Sequence, residues 1–121
     1  MAFIRTADLC KTYGSGENLV RAVHKVSLEI EKGDMIAIVG KSGSGKTTLL
    51  HLLSGLDKPT SGRIFYENAR LDLNSEKVLA KYRSSHVGFV FQFFNLLTIL
   101  SVKENIYLRL MINGKKPDEQ Y

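Results

Sequence analysis

The sequence predicts an α/β domain in which a glycine-rich loop connects a buried strand to a helix. Five consecutive apolar residues, 35–39, include two Ile and one Val, as is typical of a parallel strand buried on both faces. Residues 48–54 contain neither Gly nor Pro and are followed by Gly55, a residue type that commonly ends a helix. Residues 40–47 fit the pattern G-x-x-x-x-G-K-[ST] at every fixed position. This pattern, between a strand and a helix, indicates a phosphate-binding P-loop.

The residue types in this loop suit a nucleotide phosphate. Gly40, Gly43 and Gly45 allow backbone conformations that a Cβ disfavours, so that successive N–H groups can turn inward. Together with the positive end of the following helix, these N–H groups form an anion site for a β-phosphate. The ammonium group of Lys46 can reach the β- and γ-phosphates. The hydroxyl of Thr47 can complete the coordination of a Mg²⁺ ion that keeps most of its waters. The alternative, a Gly/Ser loop that only turns the chain, leaves this combination of residues unexplained.

Length and composition allow one soluble globular domain at most. The chain has 121 residues, of which 44% are hydrophobic and 24% charged, which are ordinary values for a globular protein. No apolar run approaches the length of a membrane span and the first eight residues lack the apolar core of a signal peptide, so a cytoplasmic protein is expected. Cys10 is the only cysteine, which excludes an intrachain disulfide and favours a packed strand position. The net charge of +5 suits a polyanionic ligand but is too diffuse to indicate nucleic acid.

The segments before the loop predict a two-stranded antiparallel entry sheet. Residues 3–11 favour a strand weakly, and the turn-rich residues 12–18 follow as a loop. Residues 26–30 alternate between apolar and polar side chains, as is typical of a half-buried antiparallel strand. Residues 31–34 form a tight turn into the strand at 35–39.

The segments after the first helix predict four elements before residue 92. They are a loop at 56–62, a strand at 63–66 that turns at Glu67 and Asn68, a helix from the N-cap Asn74 to Arg83, and a core strand at 87–91. The strand at 87–91 is expected beside the strand at 35–39. Gln92 directly follows it, and because ligands in open α/β sheets bind at the carboxyl ends of strands, this side chain can face the nucleotide.

The last segments predict an apolar loop and a helix. Residues 93–100 have too few polar side chains for a simple solvated connection. They form either an exposed patch that marks a partner site or a satellite core under the next helix, and both interpretations stay open. Ser101 and Glu104 form a capping box for a helix that ends near residues 111–112 and is closed by residues 113–114. Residues 117–119 predict the first turn of another helix.

With these motifs in place, the chain resembles the nucleotide-binding domain of an ABC transporter, most closely the ATP-binding subunits of the macrolide-export and lipoprotein-release group. Five stretches carry the resemblance: Tyr13 in the N-terminal aromatic element, residues 40–48 as the Walker A motif, residues 53–62 after the first helix, residues 87–97 as the Q-loop with Gln92, and residues 102–106 at the start of the helical subdomain. They cover essentially the whole chain.

The resemblance implies a P-loop NTPase core of α/β class with an antiparallel N-terminal β-subdomain. Residues 1–91 would be the N-terminal part of this ATPase core, and residues 92–121 the Q-loop and the incomplete start of the helical subdomain. The implied cofactors are ATP and Mg²⁺, with Lys46 and Gln92 as catalytic residues and Thr47 and Gln92 as metal-binding residues. The implied nucleotide-binding residues are Tyr13, which would stack on adenine, and Gly40, Lys41, Ser42, Gly43, Ser44, Gly45, Lys46, Thr47 and Thr48.

The resemblance also implies partners and a location. An integral membrane permease subunit would contact the apolar residues of the Q-loop region, and a second ATP-binding subunit would complete a head-to-tail dimer. The protein would be cytoplasmic and peripheral on the inner face of the cell membrane, where it would power export or lipoprotein-type extraction. No nucleic-acid partner is expected.

Several family motifs have no counterpart in these 121 residues. Nothing matches the LSGGQ signature, the Walker B strand with its catalytic Glu, or the switch His, so the chain is interpreted as truncated before these motifs. It is therefore expected to bind ATP without appreciable turnover. The alternative function is a truncated nucleotide-binding module without hydrolytic activity. A small-molecule kinase is disfavoured, because no Asp base is paired with a basic lid.

Overall fold

A long central strand organises the sheet of this protein. The structure, a computed structural model, describes residues 2–112 and 114. The described strands are β1 (Ala2–Tyr13), β2 (Val20–Val26), β3 (Glu29–Glu31), β4 (Ser61–Tyr66) and β5 (Ala69–Arg70). The described helices are α1 (Lys46–Leu53), α2 (Glu76–His86) and α3 (Val102–Ile112), with one 3₁₀ turn at Gly16–Asn18. The longest of these helices has 11 residues, too few to span a bilayer, for which about 20 are needed.

All strand pairs in the described residues are antiparallel. One edge of β1 pairs first with β3 and then with β2, and its other edge pairs with β4, which in turn pairs with β5. The predicted antiparallel pairing before the P-loop is therefore confirmed, but among the described residues the sheet has five strands rather than two, because β1 also pairs with β4. The predicted strand at 63–66 is confirmed as part of β4. The predicted turn at Glu67 and Asn68 is also confirmed, with φ values of 44° and 67°.

The predicted single strand at 26–30 is interrupted by Thr6 of β1. The Thr6 hydroxyl donates to the carbonyl of Val26 at 3.0 Å and accepts the N–H of Leu28 at 3.1 Å. The Thr6 side chain replaces a backbone hydrogen bond between strands. The segment at 26–30 therefore pairs with β1 as the end of β2 and, separately, as β3. Strand β2 also begins six residues earlier than predicted, at Val20.

The core lies between the sheet and helix α1. Leu9 of β1, Val23 of β2, Leu52 of α1 and Ile64 of β4 are buried together. Helix α1 begins after Gly45 and ends at Leu53, with Ser54 as its C-cap and Gly55 in the left-handed region at φ 75°, which confirms the predicted helix and its glycine stop.

Helix α2 packs against the end of α1. Leu79 and Tyr82 are buried, and the Tyr82 hydroxyl donates to the carbonyl of Leu53 at 3.0 Å. The N-cap of α2 is Ser75, whose hydroxyl accepts the N–H of Val78, so the predicted N-cap at Asn74 is wrong by one residue.

The two predicted core strands, residues 35–39 and 87–91, do not form strands in the described structure. Neither segment has regular secondary structure, and Met35 and Val90 are 100% and 97% exposed. A strand needs a neighbouring strand that forms hydrogen bonds with its N–H and C=O groups. For a parallel strand, that neighbour must lie at least about a dozen residues away in the sequence. The antiparallel strands find partners among the described residues, whereas no described segment pairs with these two.

The capping box of α3 is confirmed. The Glu104 carboxylate accepts the N–H of Ser101 at 2.7 Å, and the Ser101 hydroxyl accepts the N–H of Glu104 at 3.3 Å. Cys10 is half-buried in β1, as predicted, and its Sγ accepts the N–H of Lys25 at 3.2 Å. The expected helix at residues 117–119 lies outside the described residues.

Candidate functional site

The P-loop connects the extended residues 35–39 to helix α1. Gly43 and Gly45 have φ values of 78° and 93°, a region that side chains with a Cβ rarely adopt, whereas Gly40 does not need positive φ. The N–H of Ser44 donates to the carbonyl of Lys41 at 3.1 Å, which closes a turn inside the loop. Among the described residues no side chain caps α1, because its N-cap residue is Gly45. The first-turn N–H groups of α1 are therefore not engaged by a capping side chain.

Strand β2 fixes the position of this loop. A Cβ built on Gly45 would lie 2.0 Å from the carbonyl oxygen of Ala22, a backbone contact that no side chain could relieve. A Cβ on Gly40 would lie 2.7 Å from Ser44 Oγ, so the two ends of the loop also approach closely. Glycine at these positions lets the loop fold tightly and pack against the sheet.

The ammonium group of Lys46 lies inside the loop. Its Nζ donates to the carbonyl oxygens of Gly40 at 2.7 Å and Lys41 at 2.8 Å, with Ser44 Oγ at 3.4 Å. The loop therefore places a cation at its own centre. An open cleft of about 420 Å³ lies between the loop and β2, and Arg21 also lines it. No acidic residue is among the described residues that line this cleft, so its charge favours an anion.

The two predicted metal-binding residues, Thr47 and Gln92, lie in different parts of the structure. Thr47 lies exposed in the first turn of α1, beside the half-buried Thr48. Gln92 is exposed and forms no hydrogen bond with any other described residue. The structure thus brings the loop residues together but shows no contact between Gln92 and the loop. In the described part of the chain, no cluster of three or more His, Cys, Asp or Glu side chains could hold a metal ion.

Tyr13 lies at the end of β1, held by two residues that the sequence did not indicate. Its hydroxyl donates to Asp57 Oδ2 at 3.0 Å, and the Lys11 ammonium lies 5.1 Å from its ring centroid. Lys11 also donates to Asp57 Oδ1 at 3.1 Å. Partial burial by itself raises the pKa of the Asp57 carboxyl, but hydrogen bonds from Lys11, the Lys58 N–H and Tyr13 outweigh it, so this pKa lies below its ordinary value.

A second candidate surface follows Gln92. The apolar surface comprises the exposed side chains of Phe93, Phe94, Leu96, Leu97, Ile99 and Val102. Phe94 alone is 93% exposed. The interpretation as an exposed patch therefore describes residues 93–99, and the interpretation as a satellite core does not. Exposed apolar side chains close together in sequence are a feature of many interaction sites, so these residues form a candidate site.

Asn105 holds the turn that presents this surface. Its Oδ1 accepts the N–H of Leu97 at 2.9 Å, and its Nδ2 donates to the carbonyls of Leu97, Leu100 and Ser101 at 3.1, 3.2 and 2.9 Å. One amide side chain thus ties the turn at 97–101 to the first turns of α3. The sequence signals for this residue were its place after the capping box and within the stretch 102–106 that carries the family resemblance, and neither predicted these bonds.

Comparisons with known proteins agree with the P-loop and with each other. The family model described as "ABC transporter" matches residues 23–121. The lipoprotein-releasing system ATP-binding protein LolD of Idiomarina loihiensis is 43% identical over 118 residues, which are 98% of this chain and 52% of that protein. The bacitracin export ATP-binding protein BceA of Halalkalibacterium halodurans is 42% identical over 124 residues, which are 100% of this chain and 49% of that protein. The chain spans about half the length of the curated relatives it matches.

The fold has close counterparts among solved structures. A dimeric post-hydrolysis state of the ATP-binding cassette MJ0796, bound to ADP and Pi, matches with a TM-score of 0.86 at 36% identity over 97% of this chain and 50% of that one. The cassette cbiO1 from Clostridium perfringens matches with a TM-score of 0.58 at 32% identity over 69% of this chain and 32% of that one. The sequence resemblance and the predicted α/β cassette class are confirmed by these matches. The chain therefore belongs to the ABC transporter family.

Proposed function

We propose that this chain is the N-terminal, nucleotide-binding portion of an ABC-type transport ATPase and that it binds Mg-ATP. The observation that carries the proposal is the P-loop, in which Gly43 and Gly45 adopt left-handed conformations and Lys46 lies inside the loop at the start of α1. A relative of known structure, the MJ0796 cassette, holds ADP and Pi, which supports a nucleotide as the ligand.

Each loop residue has a role in this proposal. Backbone N–H groups of residues 40–48 would bind the β-phosphate at the N-terminus of α1. The Lys46 ammonium would exchange its bonds to the carbonyls of Gly40 and Lys41 for bonds to phosphate oxygens, which are charge-assisted and therefore stronger. Tyr13 would stack on the adenine ring.

The residues present fit Mg²⁺ only as a companion of the nucleotide. Mg²⁺ is bound through substrate phosphates, waters and one or two protein oxygens rather than by an all-protein cage. The exposed hydroxyl of Thr47 can supply one such oxygen. The amide oxygen of the exposed Gln92 would supply another or orient the attacking water. The ion would neutralise charge on the phosphates during phosphoryl transfer.

We further propose that the apolar surface receives a permease subunit in the membrane. Its exposed Phe and Leu side chains support a protein partner, and the relatives are named as ATP-binding parts of release and export systems. Residues 92–121 would then be the part of the chain that faces this partner, and residues 1–91 the part that holds the nucleotide. The protein would lie peripherally on the inner face of the cell membrane and power export or lipoprotein-type extraction.

A head-to-tail dimer with a second ATP-binding subunit completes the proposed assembly. The dimeric state of the MJ0796 cassette supports it. In that arrangement the signature motif and the catalytic Glu, which these 121 residues do not contain, would have to be supplied outside them.

A calorimetric titration of the chain with Mg-ATP tests the binding proposal. Saturable binding is expected, and Lys46→Ala should raise Kd roughly 10- to 100-fold, because a hydrogen bond to a charged group contributes about 1.5–3 kcal/mol. The matched control is Lys77→Ala, which removes an exposed positive charge on α2 and should leave Kd unchanged. Equal weakening by both variants, or no binding to the wild-type chain, would refute the proposed site.

The second candidate function is a nucleotide-binding module without hydrolysis. It is favoured by one observation, namely that no residue of the sequence matches the catalytic Glu that activates the water. We expect phosphate release by the isolated chain at the buffer rate. Multiple turnover that is abolished by Lys46→Ala would overturn this expectation.

A further inference from the structure

Tyr13 is restrained by contacts at its hydroxyl and at its ring. The hydroxyl donates to Asp57 Oδ2 at 3.0 Å, and the Lys11 ammonium lies over the ring at 5.1 Å from the centroid. Even so, 43% of the residue remains exposed. A cation that covers one face of an aromatic ring leaves the opposite face for stacking. The ring is thus held in one orientation while part of it stays accessible.

The two residues that restrain Tyr13 are themselves fixed. Lys11 Nζ donates to Asp57 Oδ1 at 3.1 Å and to the carbonyl of Lys58 at 2.6 Å. Only 15% of the Lys11 side chain and 34% of the Asp57 side chain are exposed. The N–H of Lys58 donates to Asp57 Oδ1 at 2.8 Å. Both carboxylate oxygens of Asp57 are therefore engaged, one of them by Tyr13.

The same strand pair connects Tyr13 to the P-loop. Tyr13 is paired with Val20 of β2 and Thr12 with Arg21, and the next residue, Ala22, has its carbonyl against Gly45. Two residues along a strand correspond to about 7 Å. The ring and the loop therefore flank one short stretch of β2, an arrangement that lets a single ligand reach both.

We infer that Asp57, together with Lys11, is a positioning residue that fixes the Tyr13 ring for stacking on a nucleotide base. Through Tyr13, Asp57 contributes to the affinity for the base and not to the affinity for the phosphates. This inference rests on the proposed nucleotide binding. The competing explanation is that Asp57 only stabilises the loop after α1 through the Lys58 N–H, in which case its loss would affect all ligands of the P-loop alike.

Two ligands separate these explanations: Mg-ATP and inorganic triphosphate with Mg²⁺, which has no base. Calorimetric titration of the full chain with each ligand gives two dissociation constants for every variant. Asp57→Ala and Tyr13→Phe should each raise the Kd for ATP roughly 3- to 10-fold, the range of one hydrogen bond, and leave the Kd for triphosphate within about twofold. The double variant should bind ATP no more weakly than the weaker of the two single variants, because both remove the same bond.

Glu17→Gln is the matched control, since it removes one negative charge from the adjoining 3₁₀ turn, where the side chain is exposed. It should change neither constant. If Asp57→Ala unfolds the chain, Tyr13→Phe carries the test, because it removes only the hydroxyl that Asp57 accepts.

Three results would overturn the inference. An equal loss of affinity for both ligands would assign Asp57 a general structural role. Unchanged ATP affinity in both single variants would show that the orientation of Tyr13 does not matter for binding. Triphosphate binding without any preference for ATP in the wild-type chain would remove Tyr13 from the site but leave the phosphate site intact, whereas binding of neither ligand would refute the proposed function itself.

Discussion

The two segments at 35–39 and 87–91 are more apolar than the strands of the antiparallel sheet, yet they lie in the more exposed environment. The sheet buries Leu9 and Ile64 against α1, whereas Met35 and Val90 are exposed to solvent. The strands of the sheet find their partners within the described residues, through β1 at the centre. The other two segments have the composition of core strands and no described partner. Apolar character therefore creates a tendency toward burial, but strand formation depends on a neighbour that can accept and donate backbone hydrogen bonds.

The same difference separates the two candidate surfaces. The P-loop is braced by β2 at Ala22 and by its own lysine, so its conformation follows from contacts inside the first 55 residues. Gln92 follows residues 87–91, which form no strand, and it forms no hydrogen bond with the other described residues that would fix its position. The phosphate-binding residues are thus held in place, while the residue proposed to complete the metal site is not.

The largest expected effect distinguishes the packed sheet from the exposed segment. Ile64→Ala should lower the free energy of unfolding by about 2–5 kcal/mol, because it removes buried methyl groups and leaves a cavity. Val39→Ala is the matched control, and it should change the free energy of unfolding by less than about 0.5 kcal/mol, because its side chain is exposed. Urea unfolding followed by circular dichroism measures both. A loss of comparable size in Val39→Ala would mean that residues 35–39 are packed in solution.

A smaller effect is expected where a single side chain organises the apolar surface. Asn105→Ala removes four hydrogen bonds to the turn at 97–101 and should destabilise this turn by about 1–2 kcal/mol. Amide hydrogen exchange should accelerate at Leu97 and at the start of α3, while β1 and β4 keep their protection. Acceleration spread evenly over the sheet would contradict this local role.

A still smaller effect is expected from acid. The pKa of Asp57 lies below its ordinary value of 3.8 in the folded chain, so this carboxylate stabilises the fold above about pH 4. The contribution disappears as the pH falls through the lowered pKa, because a proton then displaces the bonds from Lys11 and Tyr13. Thermal unfolding of the wild type and of Asp57→Asn between pH 2 and pH 6 should show a difference in Tm between the two proteins that becomes smaller as the pH falls. Since Glu76 and Glu104 also have lowered pKa values, from the hydrogen bonds of Arg83 and of the Ser101 N–H respectively, only the difference between the two proteins reports on Asp57. A Tm difference that stays constant over this pH range would show that the Asp57 carboxylate does not stabilise the fold in this way.

The smallest effect on stability is expected at the centre of the apolar surface. Phe94→Asp should leave the free energy of unfolding within about 0.5 kcal/mol of the wild-type value, because the side chain is almost fully exposed. It should, however, reduce self-association at high protein concentration, since it places a charge in the exposed apolar patch. Equilibrium sedimentation measures the association. A large loss of stability would show that Phe94 packs against the chain after all.

Features that depend on residues close in sequence could be predicted. The P-loop, the glycine stop of α1 at Gly55 and the capping box at Ser101 and Glu104 involve contacts within about one or two helical turns. Their residue types predict the local backbone geometry, because Gly permits positive φ and the Ser hydroxyl accepts a hydrogen bond from an N–H in the first turn of a helix.

Features that depend on distant residues could not be predicted. Asp57 binds Tyr13 across 44 positions, and Thr6 interrupts the strand at 26–30 from 22 positions away. No pattern of neighbouring residues in the sequence predicts such contacts. The failed strands at 35–39 and 87–91 have a related cause, since an apolar run indicates a need for neighbours but does not identify which segment supplies them.

The amide of Asn105 has one mechanical consequence. Because its four hydrogen bonds connect the turn at 97–101 to Asn105 in α3, the turn and the start of the helix are mechanically coupled. We expect a displacement of Ile99 within this turn to shift the start of α3 as well. A partner that moved against the apolar surface, as proposed above, would then shift the start of α3 together with the turn.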